Sequence, residues 1–107
     1  MIKDLTWEYP HIGETPEGKK QLKKAEKFCE EYKKFLTIAK TERECVNVVE
    51  VMLVNAGYER FDVNKQYKAG DKVYEINRGK SIIATTFGTA PLDEGLRLNG
   101  AHIDSPR

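Results

Sequence analysis

The feature that most constrains the fold of this chain is a change in hydrophobic period near residue 58. Before it, apolar residues recur at steps of three and four, which is typical of amphipathic helices. After it, short apolar and β-branched runs are separated by turns containing Gly or Asn, which is typical of strands. These patterns predict an α/β fold in which two helices pack on a small mixed sheet with a β-hairpin.

Both helices have clear start signals. The run Thr15-Pro16-Glu17 offers an N-cap hydroxyl, a proline at the first helical position and an early acid, which predicts a helix over 16–38. Thr41 and Glu44 have the spacing of a capping box. They predict a second helix over 41–56, with Gly57 as its C-terminal cap. The residues expected to be buried are Ala25, Phe28, Cys29, Tyr32, Phe35, Leu36 and Ala39 on the first helix, and Cys45, Val48, Val49, Met52, Leu53 and Ala56 on the second.

Short strands are expected after the second helix. Residues 58–63 form the first, and residues 72–77 and 81–87 form a hairpin around a turn that contains Asn77 and Gly79. Because 81–87 is the more apolar and β-branched member of the pair, we expect it to be the interior strand. A last strand over 96–104 would end before Pro106, which cannot donate to a sheet ladder.

Composition argues against several classes of partner. With 18 basic and 17 acidic side chains the formal net charge is +1, so no global field attracts nucleic acid or an anionic membrane. The lysine-rich side of the first helix is interrupted by Glu26, Glu30 and Glu31, and we interpret it as a solvated face. No apolar run approaches the length of a membrane span, and residues 1–14 lack the apolar centre of a secretory signal. A cytoplasmic protein is therefore expected.

The two cysteines, Cys29 and Cys45, are too few and too far apart for a zinc knuckle or a Cys-x-x-Cys redox site. Each falls on the apolar side of a predicted helix. We interpret them as buried free thiols. The alternative is a disulfide between the helices, which would argue against a reducing compartment.

The segment that carries chemistry is the final one, 99–107, which reads NGAHIDSPR. In an extended strand His102 and Asp104 point to the same face, about 6.6 Å apart along the strand. An imidazole so placed can bind a metal through one nitrogen while the carboxylate holds the other N–H. The alternative is an ordinary solvated pair at a strand end. His11, the other histidine, lies in a Pro- and Gly-flanked arm and is interpreted as exposed rather than as a ligand.

The string Gly-Ala-His-Ile-Asp-Ser-Pro at 100–106 resembles the His-x-Asp-Ser-Pro segment of the aspartyl aminopeptidase family, which are large, self-assembling zinc aminopeptidases. The resemblance implies that His102 is a ligand of a two-zinc centre and that Asp104 orients it and is catalytic. It implies an N-terminal arm over 1–14 and the opening part of the catalytic domain over 15–107. Family members carry the other zinc ligands and the acid/base residue downstream, so this 107-residue piece alone should be inactive.

The function implied by the resemblance is hydrolysis of N-terminal residues from peptides, with a family preference for Asp or Glu. The implied partners are peptide substrates, the remainder of the same enzyme and further copies in a homo-oligomer. Two alternatives stay open. The chain could be a non-catalytic α/β binding or assembly module, or part of another di-zinc exopeptidase or deacylase with a similar His-x-Asp segment.

Overall fold

The computed structural model describes residues 11–105, and the chain divides into two compact units, Met1–Lys34 and Phe35–Arg107. The predicted fold class is confirmed, since the structure contains two helices and a small three-stranded mixed sheet. The elements are helix α1 (Pro16–Ile38), helix α2 (Glu42–Asn55), strand β1 (Glu59–Arg60), strand β2 (Lys72–Asn77) and strand β3 (Ser81–Thr86). The predicted arm over 1–14 lies mostly outside the described residues and stays a prediction.

Helix α1 begins at the residue that its start signal predicts. The Thr15 hydroxyl accepts a hydrogen bond from the Gly18 N–H (2.9 Å) and donates one to the Ile12 carbonyl (2.9 Å). Gly18 sits so close to the preceding turn that an added Cβ would lie 1.5 Å from the Ile12 carbonyl oxygen. Only glycine fits there, because any larger residue would displace the turn that leads into the helix.

The predicted burial of the α1 stripe is wrong for most of its members. Phe28, Cys29 and Tyr32 are exposed, and Ala39, just after the helix, is buried. Periodicity locates the apolar side of a helix, but it does not say whether another element covers that side.

Both ends of α2 are fixed by local hydrogen bonds, as predicted. Thr41 accepts from the Glu44 N–H through its hydroxyl, and the Glu44 carboxylate accepts from the Thr41 N–H (2.9 Å), which completes the capping box. At the other end Gly57 has a φ of 83°, and the Tyr58 N–H donates to the Leu53 carbonyl (2.9 Å). This six-to-one bond after a left-handed glycine is the Schellman motif.

The buried side of α2 differs from the predicted stripe. Cys45 and Val46 are buried, whereas Met52 is exposed together with Val51. Met52 is therefore not the core residue that the sequence predicted. The buried side of the helix is centred nearer to Val46, because α2 has valines on several of its sides and the periodic pattern alone admits both positions of the stripe.

The sheet has the order β1-β2-β3, with β1 parallel and β3 antiparallel to β2. The predicted hairpin is confirmed: Arg78 and Gly79 have φ values of 54° and 67°, and the Lys80 N–H donates to the Asn77 carbonyl. Two left-handed central residues are typical of a type I′ turn. The first strand is shorter than predicted, covering Glu59–Arg60.

The prediction that 81–87 is the interior strand is wrong, because β2 is the central strand and β3 lies at an edge. Val73 and Tyr74 are consecutive in β2 and both buried, so both faces of that strand are covered. The outer edge of β3 pairs with no strand in the part of the chain that the structure describes, and β3 contains no charged residue. The apolar composition of residues 81–87 therefore did not predict the position of that strand in the sheet.

Different elements cover the two faces of β2. On the α2 side, the Tyr74 hydroxyl donates to the Glu50 carboxylate (2.9 Å). On the other side, where alternation places Val73 and Phe87, Tyr67 stacks between Phe61 and Phe87 with ring centroids 5.5 and 5.2 Å away. The loop between β1 and β2 is thus fastened to the sheet by aromatic contacts. Within residues 11–105, no helix combines the length and the apolar character needed to cross a membrane.

Candidate functional site

The segment that carries the His-x-Asp pair follows a short 3-10 turn, Leu92–Glu94, and Gly95, which has a φ of 114°. Between residues 95 and 105 the structure assigns no strand, so the predicted strand over 96–104 is not formed. Leu96 and Leu98 are both exposed. A strand requires a neighbour to accept its hydrogen bonds, and the described chain offers none to this segment.

His102 and Asp104 nevertheless lie together. Nδ1 of His102 is 2.9 Å from the main-chain carbonyl oxygen of Asp104 and 3.3 Å from its carboxylate oxygen Oδ1. The side chains are 83% and 73% exposed, respectively. The contact is therefore made within an unpaired segment, to which the structure assigns neither a strand nor a turn.

The other ring nitrogen of His102, Nε2, has no hydrogen-bond partner within the described range 11–105. Its lone pair is therefore available when the proton resides on Nδ1. An imidazole nitrogen is a usual zinc ligand, and a partner on the opposite nitrogen is the usual way in which such a ligand is oriented.

The segment adjoins the N-terminal end of α2. An open hollow of about 430 Å³ is lined by Lys40, Thr41, Glu42, Asp104 and Ser105. The partial positive charge at a helix N-terminus favours a carboxylate nearby. Sequence reasoning missed this neighbourhood because the two stretches are more than sixty residues apart. The available signal was the capping box at Thr41, which marks a helix start but not what lies beside it.

The imidazole of His102 can supply only one ligand of a metal site. Within residues 11–105 no group of three or more His, Cys, Asp or Glu side chains is arranged to hold a metal ion. His11 is exposed, as predicted. The residues present therefore suit one ligand position of a zinc centre, since an imidazole nitrogen is a usual zinc ligand.

The cysteines are free, as predicted, but only one is buried. Burial raises the pKa of the Cys45 thiol, which lowers its thiolate fraction at neutral pH and its reactivity. Cys29 is exposed on α1, so the prediction that both thiols are buried is wrong for that residue.

Comparison with known proteins adds a family to this geometry. The sequence model of a family described as aminopeptidase I zinc metalloprotease (M18) matches residues 35–107. The matched region coincides with the second compact unit, Phe35–Arg107, which contains α2, the sheet and the His-x-Asp segment.

Individual relatives agree with the family match. A probable M18 family aminopeptidase 1 of Clostridium acetobutylicum is 39% identical over the whole of this chain and 24% of its own length. One from Thermotoga maritima is 42% identical over 77% of this chain and 18% of its own length. One from Borreliella afzelii is 33% identical over 92% and 21%, respectively. The chain thus spans about a quarter, or less, of the length of these relatives. No solved structure matches the chain significantly.

Proposed function

Because this chain belongs to the M18 family of aminopeptidase I zinc metalloproteases, we propose that it is the N-terminal part of a metal-dependent enzyme that removes N-terminal residues from peptides. The observation that carries the proposal is the state of His102. Its Nδ1 is held by residue 104 and its Nε2 is open, within the unit that the family model matches. The similar proteins of Clostridium acetobutylicum and Thermotoga maritima are named as probable aminopeptidases, which supports the same activity.

In this proposal His102 is a zinc ligand, and Asp104 is the residue that orients it. A bound zinc ion supplies a Lewis acid and lowers the pKa of its water toward neutrality. The described residues contribute one ligand position. The His102 ring contacts Asp104, and Asp104 lines the hollow beside the start of α2. We propose that a second zinc ion, the remaining ligands and the acid/base residue belong to the rest of the enzyme.

The exposed apolar side chains of the second unit support the proposal that further protein packs against it. They include Val51, Met52 and Val54 on α2, Ile83 on β3, and Leu96 and Leu98 in the segment before His102. Single exposed apolar residues are normal, but Val51, Met52 and Val54 lie within four residues of one helix, and such a cluster is typical of a surface that another part of a protein covers. Ile83 lies on the opposite face of the sheet.

Two finer parts of the proposal rest on the family resemblance, namely a preference for N-terminal Asp or Glu and assembly into a homo-oligomer. A cytoplasmic location with no nucleic-acid or membrane partner is proposed from the sequence alone. The near-zero net charge agrees with the last of these. No described residue reads the side chain of a substrate, so the acidic preference needs its own measurement.

The test uses the longer protein that contains this chain. We expect zinc-loaded protein to release the N-terminal residue from peptides that begin with Asp or Glu, and to do so more slowly from matched peptides that begin with Asn or Gln. His102→Ala should lower kcat/KM by about 100-fold or more and reduce the bound zinc measured by elemental analysis, because a metal ligand is lost. His11→Ala is the matched control and should change neither.

Two results would contradict the proposal. One is a longer protein that is inert with zinc, manganese and cobalt and unchanged by His102→Ala, which would favour a binding or assembly module. The other is tight, stoichiometric zinc binding by the 107-residue chain alone, because a single imidazole cannot form a closed site and should bind zinc poorly.

A further inference from the structure

Helix α1 carries an apolar side that is open to solvent. Every residue over 19–34 is exposed. Because residues three and four apart share a side of a helix, five apolar residues fall within an arc of about 120°. They are Leu22, Ala25, Phe28, Cys29 and Tyr32, and we call them the apolar stripe. Burial of such a side is what stabilises most helices in proteins, so a partner for the apolar stripe is expected.

We propose that the apolar stripe binds the apolar stripe of a second copy of this chain, with the two α1 helices antiparallel. The family model begins to match at residue 35, so the stripe lies outside the residues that it matches. The family resemblance implies a homo-oligomer without assigning a surface to it, and the contact between stripes is argued independently of that resemblance. It goes beyond the proposed function and requires neither a metal ion nor hydrolysis.

Two aromatic residues supply most of the apolar area of the stripe. Phe28 is 73% exposed and Tyr32 is 53% exposed. Aromatic side chains bury more area than most others, so covering these rings in both copies removes much apolar surface from water. A contact between two helices of about 20 residues is still smaller than a standard protein interface, and the dimer is therefore weak and concentration-dependent.

The stripe pairs with itself when a two-fold axis passes between Phe28 and Cys29. In an antiparallel pair, residues whose numbers add to about 57 then lie at the same height. Phe28 faces Cys29 of the second copy, and Ala25 faces Tyr32, so each large ring meets a smaller side chain. The contact is isologous, so each pairing occurs twice and the assembly closes at two copies.

The charges beside the stripe complement those of a second copy. On one border Lys24 and Glu31 are about two helical turns apart. With the same two-fold axis, Lys24 lies within about 3 Å, measured along the helix, of the level of Glu31 in the second copy. Glu26 and Lys33 have the same relation on the other border. An anionic membrane would favour lysines alone on both borders, whereas each border here carries both signs.

The distribution of lysines along α1 favours the antiparallel orientation. Residues 16–27 carry five lysines and two glutamates, whereas residues 28–38 carry two of each. A parallel pair would place the two basic halves side by side, and an antiparallel pair places each basic half beside a neutral one. Antiparallel helix dipoles also attract each other.

The first experiment measures self-association of the 107-residue chain by sedimentation equilibrium. We expect a monomer–dimer equilibrium, with no larger species in rapid exchange with it. Phe28→Ala should raise the dissociation constant by about 100-fold, because one buried ring is lost from each copy. A wild-type chain that is still monomeric at about 1 mM, or a Phe28→Ala dimer as tight as wild type, overturns the proposal.

A charge exchange tests the orientation. Lys33 also pairs with Glu30 of its own helix (2.7 Å), so the other border is used. Lys24→Glu should raise the dissociation constant by about tenfold, because two equivalent contacts change from attraction to repulsion. Adding Glu31→Lys should restore the wild-type value in an antiparallel pair. Lys23→Glu, on the opposite side of the helix, is the matched control and should change nothing. A double variant that binds no better than Lys24→Glu overturns the antiparallel arrangement.

Cys29 provides a second readout, since it is exposed and the other cysteine, Cys45, is buried. The two Cys29 side chains lie close to the two-fold axis, so a short bismaleimide should link two copies. Cys29→Ser should abolish the linked dimer, and Cys45→Ser should retain it. If Cys29 of the longer protein is shielded from maleimides and gives no linked dimer, another part of the same chain covers the stripe and the proposal fails.

Two comparisons complete the test. Binding to phosphatidylserine vesicles that requires Phe28, in a chain that stays monomeric, would favour a lipid surface and overturn the proposal. None of these measurements involves zinc or hydrolysis. A longer protein that is inert with zinc but forms the Cys29-linked dimer supports this proposal and contradicts the proposed function, and an active enzyme that forms no such dimer does the reverse.

Discussion

Residues 41–87 and residues 95–105 belong to the same compact unit but are stabilised in opposite ways. The first region has capped helix ends, six residue pairs along its hairpin and a buried tyrosine that donates a hydrogen bond to a glutamate. The second region has one hydrogen bond involving His102 and no strand pairing among the described residues. Its leucines point to solvent.

The two regions differ in where their polar and apolar groups find hydrogen-bond and packing partners. The first region finds them within a few residues or in the adjacent strand, so it can form from its own sequence. The second region holds the residues with chemistry but few partners for them. Under the proposed function, this exposed segment would gain its final surroundings from other protein or from a ligand, and we expect its substitutions to affect binding more than folding.

The largest contrast is expected between core and exposed apolar residues. Val46 is 1% exposed, and Val46→Ala should lower the free energy of unfolding by about 2–3 kcal/mol, because two methyl groups leave a packed site. Leu98 is 83% exposed, and Leu98→Ala should change it by less than about 0.5 kcal/mol. Urea unfolding followed by circular dichroism measures both, and an equal loss in the two variants would break the comparison.

A glycine in each region gives the next contrast. Gly57 has a φ of 83°, so Gly57→Ala should cost about 1–2 kcal/mol of stability through backbone strain. Gly100 has no positive φ and no atom within 4 Å of an added Cβ, so Gly100→Ala should be neutral or slightly stabilising. The same unfolding assay compares them. Gly57→Asn is the control, because Asn adopts a positive φ more readily than Ala. Equal stability of Gly57→Ala and either Gly57→Asn or the wild type would rule out backbone strain at residue 57.

Two hydroxyl residues that line the same hollow should differ as well. Thr41 caps α2, and Thr41→Ala should cost about 1 kcal/mol because the Glu44 N–H loses its acceptor. Ser105 is exposed and makes no hydrogen bond within the described range, so Ser105→Ala should leave stability unchanged. Thr41→Ser is the conservative control and should retain most of the cap. Equal melting temperatures for Thr41→Ala and Ser105→Ala would contradict the capping role.

The smallest effect concerns pH. The hydrogen bond to Glu50 and burial raise the pKa of Tyr74. The folded protein therefore keeps this proton where the unfolded chain releases it, so the contribution is complete below about pH 10 and is lost as pH rises through the folded pKa. Tyr74→Phe should lower the melting temperature by a few degrees at neutral pH and reduce its decline at alkaline pH. Parallel alkaline curves for wild type and Tyr74→Phe would refute the assignment.

The parts of the fold that sequence predicted are those determined by neighbours along the chain. Thr15 and Thr41 started their helices, Gly57 ended α2, and the Asn77–Lys80 turn closed a hairpin, because each requires only residues within a few positions. Strand order was not predictable in this way. β2 became central because β1 and β3 both pair with it, and apolar content does not encode that choice.

The proximity of His102 and Asp104 could be predicted from the sequence, but the geometry of their contact could not. The spacing predicted a carboxylate on the same face of a strand, whereas the shortest contact is to a main-chain carbonyl in an unpaired segment. The sequence also did not predict that Asp104 lies beside the start of α2, because this depends on a tertiary contact between residues near Thr41 and residues near Asp104. The roles of His102 as a zinc ligand and Asp104 as its orienting residue remain predictions.

The edge of β3 that pairs with no strand among residues 11–105 has a practical consequence for anyone who prepares this polypeptide. A strand of six uncharged residues with Ile83 70% exposed is a template on which copies of the same strand can add. We therefore expect aggregation of the 107-residue chain in concentrated solution to begin at this edge. A single positive charge, Ile83→Lys, placed on the strand is the change to make before storage or crystallisation trials.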